Sequence, residues 1–282
     1  MKPNKREVEI LVLSDLHLGT YGCKAEQLLN YLHSIEPKQL ILNGDIIDIW
    51  RFKKNYWPKS HMKVIKYFTS LLSKGVPIYY ITGNHDEMMR KFTGLCMGNL
   101  HIKNQLVLEL NGNKAWFFHG DAFDVSMQHA KWIAKLGAIG YDLLILLNWV
   151  VNFFWERILG QNKVSLSKKI KDSVKKAVKY LNDFEVTAAE MALANQYNYV
   201  ICGHVHRPEI KAISTESGEV SYLNSGDWVE NMTALEYNDK TWSLYNHNEA
   251  AYANTDIKEE DIKIPDSQEI FKNLLKELTF VA

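Results

Sequence analysis

Ile10-Leu-Val-Leu-Ser-Asp15-Leu-His17-Leu-Gly19 decides how the rest of the chain is read, because an apolar run ends there in two potential metal ligands one residue apart. The run reads as a buried strand. Continued through Asp15-Leu16-His17 with a period of two, it places both side chains on one side just past the strand's C-terminal end, where a cation can sit. Taken alone, Asp-x-His is as consistent with a helix cap or a turn. The balance shifts because Gly44-Asp45, Gly83-Asn84-His85-Asp86, His119-Gly120-Asp121 and Gly203-His204-Val205-His206 follow, each at the end of another predicted strand.

Outward from that first strand, a helical pattern over 24–35 leads to an apolar strand at 39–43, and a second helix over 60–73 leads to a strand at 77–81. Strand, helix, strand, helix, strand is the order of a sheet built from crossover units, whose functional groups collect beyond the carboxyl ends of the strands. Leu106–Leu110 and Lys114–Phe118 flank Asn111-Gly112-Asn113 and predict a hairpin. From about Ser126 to Asn195 helix replaces strand. Strands resume at Tyr199–Cys202 and continue as a predicted meander to Tyr245, followed by a polar tail ending in a helix over 268–278. The expected organisation is a core of residues 1–125 and 196–247, a helical insertion over 126–195 forming a lid, and a tail over 248–282.

With 282 residues the chain can bury a sizeable core, and 46% hydrophobic and 23% charged residues are those of a globular protein. Thirty-three basic residues balance thirty-three acidic ones, so no overall positive field marks a nucleic-acid partner, and none is expected. Cys23, Cys96 and Cys202 are few, odd in number and unpatterned, which fits a reducing compartment. The opening Met1–Glu7 is polar, without a charged-then-apolar leader, so the chain is expected in the cytoplasm.

Asp15, His17, Asp45, Asn84, His119, His204 and His206 are the candidate ligands. Carboxylates, imidazoles and an amide oxygen suit a pair of borderline divalent ions, and the scarcity of thiolates argues against a structural zinc site. A carboxylate shared between two ions about 3.5–4 Å apart allows both to clamp a phosphoryl oxygen and acidify one water. Asp45 is the natural bridge. His33, His61, His101, His129 and His247 lack this context and read as surface or core residues.

As an ordered set, the five clusters resemble the motifs of the calcineurin-like metallophosphoesterase superfamily, over roughly Val8 to Tyr245 without the insertion. The resemblance implies a four-layer α/β/β/α sandwich and a dinuclear centre, with manganese expected and iron or zinc as alternatives. It assigns Asp15, His17 and His206 to one ion, Asn84, His119 and His204 to the other, and Asp45 to both. It places His85 against the substrate phosphate, as proton donor or charge stabiliser, with Asp86 orienting it.

Gly44-Asp45-x-x-Asp48-x-Trp50, His119-Gly-Asp-x-x-Asp124 and Asn224-Ser-Gly-Asp227-Trp228-Val-Glu230 are similar to motifs of the UDP-2,3-diacylglucosamine pyrophosphatase family. That likeness implies cleavage of a nucleotide-linked lipid in lipid A synthesis, giving UMP and an acylated sugar 1-phosphate. Residues 133–157 are apolar nearly all round, yet one span there would put two motifs of a single site on opposite sides of a bilayer, so spanning is rejected. The expected alternatives are a buried helix pair or a greasy surface for acyl chains or the membrane interface. The next helix carries Leu166, Ile170, Val174, Val178 and Leu181 as one stripe among six lysines, which suits anionic headgroups at the inner membrane surface or a pyrophosphate. Trp50, Arg157, Lys168, Asp227 and Trp228 are the candidate substrate contacts. The best-known branch of that family carries arginine where this chain has His85, which keeps a metallophosphoesterase acting on another small phosphomonoester or phosphodiester in view.

Overall fold

Two sheets lie face to face between helices. The computed structural model describes residues 5–50, 56–123, 181 and 183–248. Strands β1 (Arg6–Val8) and β3 (Ile35–Pro37) form a small parallel pair. The larger sheet contains β2 (Ile10–Leu13), β4 (Leu40–Asn43), β5 (Ile78–Ile81), β6 (Cys96–Met97), β7 (Leu100–Lys103), β13 (Thr233–Asn238) and β14 (Thr241–Asn246), ordered β14-β13-β2-β4-β5-β7-β6. The second contains β8 (Gln105–Leu110), β9 (Asn113–Phe118), β10 (Tyr199–Cys202), β11 (Glu209–Thr215) and β12 (Gly218–Asn224), ordered β11-β12-β10-β9-β8.

Period-2 alternation sorts the apolar residues into three layers. Leu11, Leu13, Leu40 and Leu42 face helices α1 (Ala25–Ser34) and α2 (Lys59–Ser73), while Val12 and Ile41 face the second sheet with Phe117, Ile201 and Leu223. On that sheet's far side, Trp116, Phe118, Val200 and Tyr222 pack with Phe184, Ala188, Ala189 and Ala192 of a helix over 183–194, α3. This is the expected α/β/β/α sandwich. Helix α3, which falls within the predicted insertion, supplies one outer layer.

Local chemistry sets the elements. Pro58 precedes α2, where its fixed φ suits a helix start, and Val64, Tyr67, Phe68 and Leu71 bury one face. The helix stops at Gly75 (φ +82°), with Gly75 N–H donating to Leu72 O and Val76 N–H to Leu71 O, a Schellman closure. Asn111 (φ +51°) and Gly112 (φ +81°) are both left-handed, as a two-residue turn of type I′ between β8 and β9 requires.

The expected meander after β10 is instead two hairpins in different sheets: β11–β12 in the second, β13–β14 in the first. Residues 225–232 cross between them, and Asp227 lies on that crossing. Strands β1, β3, β6 and β7 carry no strand signal in the sequence. They have two to four residues each, too few to show a period. The apolar stretch 133–157, the lysine-bearing helix, Asp124, Arg157, Lys168 and the helix predicted over 268–278 lie outside the described residues. Among the described residues no helix is long and apolar enough to cross a membrane.

Candidate metal centre

β2 ends at Leu13, so Asp15 and His17 are not on an extended strand as expected. Both adopt left-handed backbone (φ +54° and +50°), as do Asp45 (+55°), His204 (+66°) and His206 (+52°). Each such residue costs about 1–2 kcal/mol, and five together mark a segment held against its local preference. Neighbouring loops hold it. Asp15 N–H donates to Gly44 O (3.0 Å), His17 N–H to Asp45 O (3.0 Å), Leu18 N–H to Ile46 O (2.9 Å) and Gly203 N–H to His119 O (2.9 Å). Leu16 and Leu18 are buried on the helix side, leaving Asp15 and His17 to the site, so the alternation survives although the strand does not.

Asp15, His17 and His206 gather on one side, with His206 Nε2 3.0 Å from Asp15 Oδ1 and 3.5 Å from His17 Nε2. Asp45, His119 and His204 gather on the other, with His119 Nε2 3.2 Å from Asp45 Oδ2. Backbone donors clamp the carboxylates between them: His85 N–H to Asp45 Oδ1 (2.8 Å) and His204 N–H to Asp15 Oδ2 (3.1 Å). The flanking glycines are steric necessities. A Cβ on Gly44 would lie 2.3 Å from His119 Nδ1, and one on Gly203 would lie 2.5 Å from Asp15 Oδ2.

The imidazoles are oriented from behind. His119 Nδ1 donates to Asn43 O (2.9 Å), His17 Nδ1 meets Asp48 Oδ2 (3.2 Å), and His206 Nδ1 faces Asp227 Oδ2 (3.8 Å). Such partners fix the tautomer that leaves Nε2 as a ligand. Among the described residues, Asn84 Oδ1 is buried without a hydrogen-bond partner, while Asp15 Oδ1 and His119 Nε2 are buried against other candidate ligands only. A buried orphaned amide oxygen and carboxylates packed directly on imidazoles are a donor set that fits divalent ions.

In the protein alone, protons and charge pairs do part of that work. Burial opposes ionisation of Asp15, yet His206, then His119 and His17, hold its carboxyl well below the usual range. Asp45 is depressed likewise, burial being outweighed chiefly by His119. Burial alone would lower His206, but Asp15, with Asp227 and Asp45, raises it to about 9. His119 is raised in the same way by Asp45.

The structure redistributes several predicted roles. Asp86 is buried, and its oxygens accept from Gly83 N–H (2.6 Å), Ile46 N–H (3.0 Å) and Tyr80 O–H (2.6 Å), so it clasps the Asp45 and Asn84 loops together. Burial and the charge of Asp45 raise its pKa. The carboxylate against the His85 ring is Asp48, whose Oδ2 lies 2.9 Å from Nδ1 and also touches His17. No spacing rule separates those two acids in sequence, although Asp48 sits in the quoted Gly44–Trp50 motif.

Asp227 and Trp228, expected as substrate contacts, are both buried. Asp227 Oδ1 accepts the N–H groups of Val229, Glu230 and Asn231, and Trp228 is fully buried, stacked on Tyr31 with ring centroids 5.6 Å apart. Trp50 does reach the site: it is 61% exposed and its ring lies 5.2 Å from that of His85.

A family model described as calcineurin-like phosphoesterase matches residues 8–208. UDP-2,3-diacylglucosamine hydrolase of Aliivibrio fischeri (strain MJ11) is 29% identical over 249 residues, covering 84% of this chain and 97% of that protein. The protein of the same name from Vibrio cholerae serotype O1 (strain ATCC 39315 / El Tor Inaba N16961) is 26% identical over 245 residues, covering 83% and 97%.

Proposed function

Because this chain belongs to the calcineurin-like phosphoesterase family and carries the ligand clusters of a metal-dependent hydrolase, we propose that it cleaves the diphosphate of UDP-2,3-diacylglucosamine to UMP and 2,3-diacylglucosamine 1-phosphate. The observation that carries this reading is the convergence of two ligand groups on the motif residues, in a chain whose relatives bear that enzyme name over four-fifths of its length.

Asp15, His17 and His206 would hold one divalent ion and Asn84, His119 and His204 a second, with Asp45 available to both and manganese as the expected metal. When bound, such ions acidify a water and draw charge from a phosphoryl oxygen. The chain's own groups do the rest. His85, with Nδ1 against Asp48 and Nε2 turned toward Asp45 (3.9 Å to Oδ2), donates from Nε2 to the bridging oxygen as it leaves with the sugar phosphate. Asp48 fixes that tautomer and, through His17, ties it to the ion site. Water oxygen adds to the UMP phosphorus, the bond to the bridging oxygen breaks, and the sugar 1-phosphate carries the electron pair away. Trp50 flanks the entrance. The apolar sequence over 133–157 and the lysine-rich sequence after it favour acyl-chain binding and peripheral attachment at the cytoplasmic face of the inner membrane.

One residue favours a second reading. With His85 where the best-known pyrophosphatase branch has arginine, the same centre suits a smaller phosphomonoester or phosphodiester. The two readings part when purified protein is supplied with Mn²⁺ and UDP-2,3-diacylglucosamine in detergent. Release of UMP, abolished by Asp45→Ala, supports the first. Turnover of bis(p-nitrophenyl) phosphate without UMP release from the lipid refutes it and leaves the second.

A further inference from the structure

A diphosphate presents two phosphoryl groups, and the ligand cluster accounts for one; the second calls for a cation beside it. Among the described residues, two arginines stand close in sequence to the ligand motifs, Arg207 and Arg90. Arg207 follows His206, but its guanidinium stands 3.7 Å from Glu185 and 3.6 Å from Glu209, and Lys211 joins the same carboxylates at 2.7 and 2.9 Å. Two acids surround it, and an incoming anion there meets their repulsion.

Arg90 differs. It lies on the short 3₁₀ helix Glu87–Phe92 that begins directly after His85 and Asp86, on the leaving-group side. Its Nη2 contacts Asp121, two residues beyond His119, and the charge of Asp121 is close enough to act on that imidazole. So Arg90 spans from the His85 loop to the His119 loop across the rim of the site. Its head remains half-buried, and its Nε is a buried donor with no acceptor among the described residues. The rest of the guanidinium is accessible, with the side chain 36% exposed, so its outer N–H groups can meet a phosphate oxygen in a planar, charge-assisted geometry.

We propose that Arg90, held extended by Asp121, binds the second phosphoryl group of a diphosphate substrate and selects diphosphates over monophosphates. This rests on the diphosphate chemistry proposed above, but its test does not need the lipid. UDP and UMP are titrated calorimetrically onto Mn²⁺-loaded full-length protein. In Arg90→Gln, affinity for UDP falls by about tenfold or more while that for UMP changes by no more than about twofold, the scale expected for one lost charge-assisted pair. Arg90→Lys keeps the charge without the fork and recovers part of the UDP preference. Because Arg90→Lys preserves the link to Asp121, it also reads the effect should the glutamine variant fail to fold: a smaller, UDP-specific loss. Equal weakening of UDP and UMP, or unchanged UDP binding in either folded variant, overturns the proposal. UDP binding that depends on Arg90 in a protein that leaves UDP-2,3-diacylglucosamine uncleaved sinks the substrate assignment and keeps this one. UMP release from the lipid, with UDP binding indifferent to residue 90, does the reverse.

Discussion

Gly83→Ala tests whether the motif glycines exist to let ligands approach. Gly83 has no left-handed backbone, so alanine costs nothing in φ, and the whole effect is steric. The added Cβ lies 2.2 Å from Asp45 Oδ1, 2.6 Å from the Asp45 backbone nitrogen and 2.9 Å from the His119 ring. A carboxylate oxygen at 2.2 Å must retreat by about 1 Å to reach van der Waals contact, and because a backbone atom is also in the way, a rotamer change alone cannot relieve it. Overpacking of this kind costs about 1–3 kcal/mol of stability. The larger effect falls on the bridging carboxylate, because a misplacement of about 1 Å in a preorganised site lowers turnover roughly a hundredfold. Metal content after dialysis against Mn²⁺, phosphoesterase turnover and melting in chelator are measured together. Gly75→Ala is the control: Gly75 has φ +82° and nothing within 4 Å, so it loses about 1 kcal/mol from backbone strain and keeps its metal. A Gly83→Ala protein with native metal content and turnover refutes the reasoning.

Asp48→Asn weakens the hold on both His17 and His85, so turnover drops about 10–100-fold with a smaller loss of metal affinity; unchanged turnover removes Asp48 from the machinery. With His206 raised to about 9 and divalent ions taking neutral imidazole, Mn²⁺ binding at pH 7 expels protons and tightens as pH rises toward 9. Titrations in buffers of different ionisation heat read that release, and its absence contradicts the assignment. The sign for stability is opposite in the metal-free protein: the His206 contribution is complete below the ordinary value of 6.5 and is lost as pH rises through about 9. Trp228→Ala removes a fully buried indole and costs about 3–5 kcal/mol, seen as an early melt, whereas Trp50→Ala melts normally and raises KM for the lipid.

The sequence displayed the ligands because they cluster just past the ends of apolar strands, four of them (Asp45, Asn84, His119 and His204) beside a glycine, and such adjacency survives without coordinates. The parallel core showed through Leu11 to Leu13 and Leu40 to Leu42, buried on both faces. Backbone handedness left no trace: Asp15 and His17 look like a continued strand, and only the hydrogen bonds to Gly44 and Asp45 turn them. The choice between Asp48 and Asp86 was equally hidden, since sequence distance from His85 favours the neighbour while the fold brings the remote acid to the ring. Trp228 reads as a substrate contact because it lies in the Asn224–Glu230 motif. Its indole is buried by Tyr31, a contact nearly two hundred residues away in the chain. Glycine rows and apolar runs are local properties; orientation and burial are set by partners far away.

The metal content of the purified protein tests the central claim most directly. After saturation with Mn²⁺ and removal of excess, elemental analysis is predicted to find two ions per wild-type chain and fewer than one in Asp45→Ala, with both proteins folded. A single ion per wild-type chain, or an unaltered pair in the variant, contradicts a centre shared through Asp45.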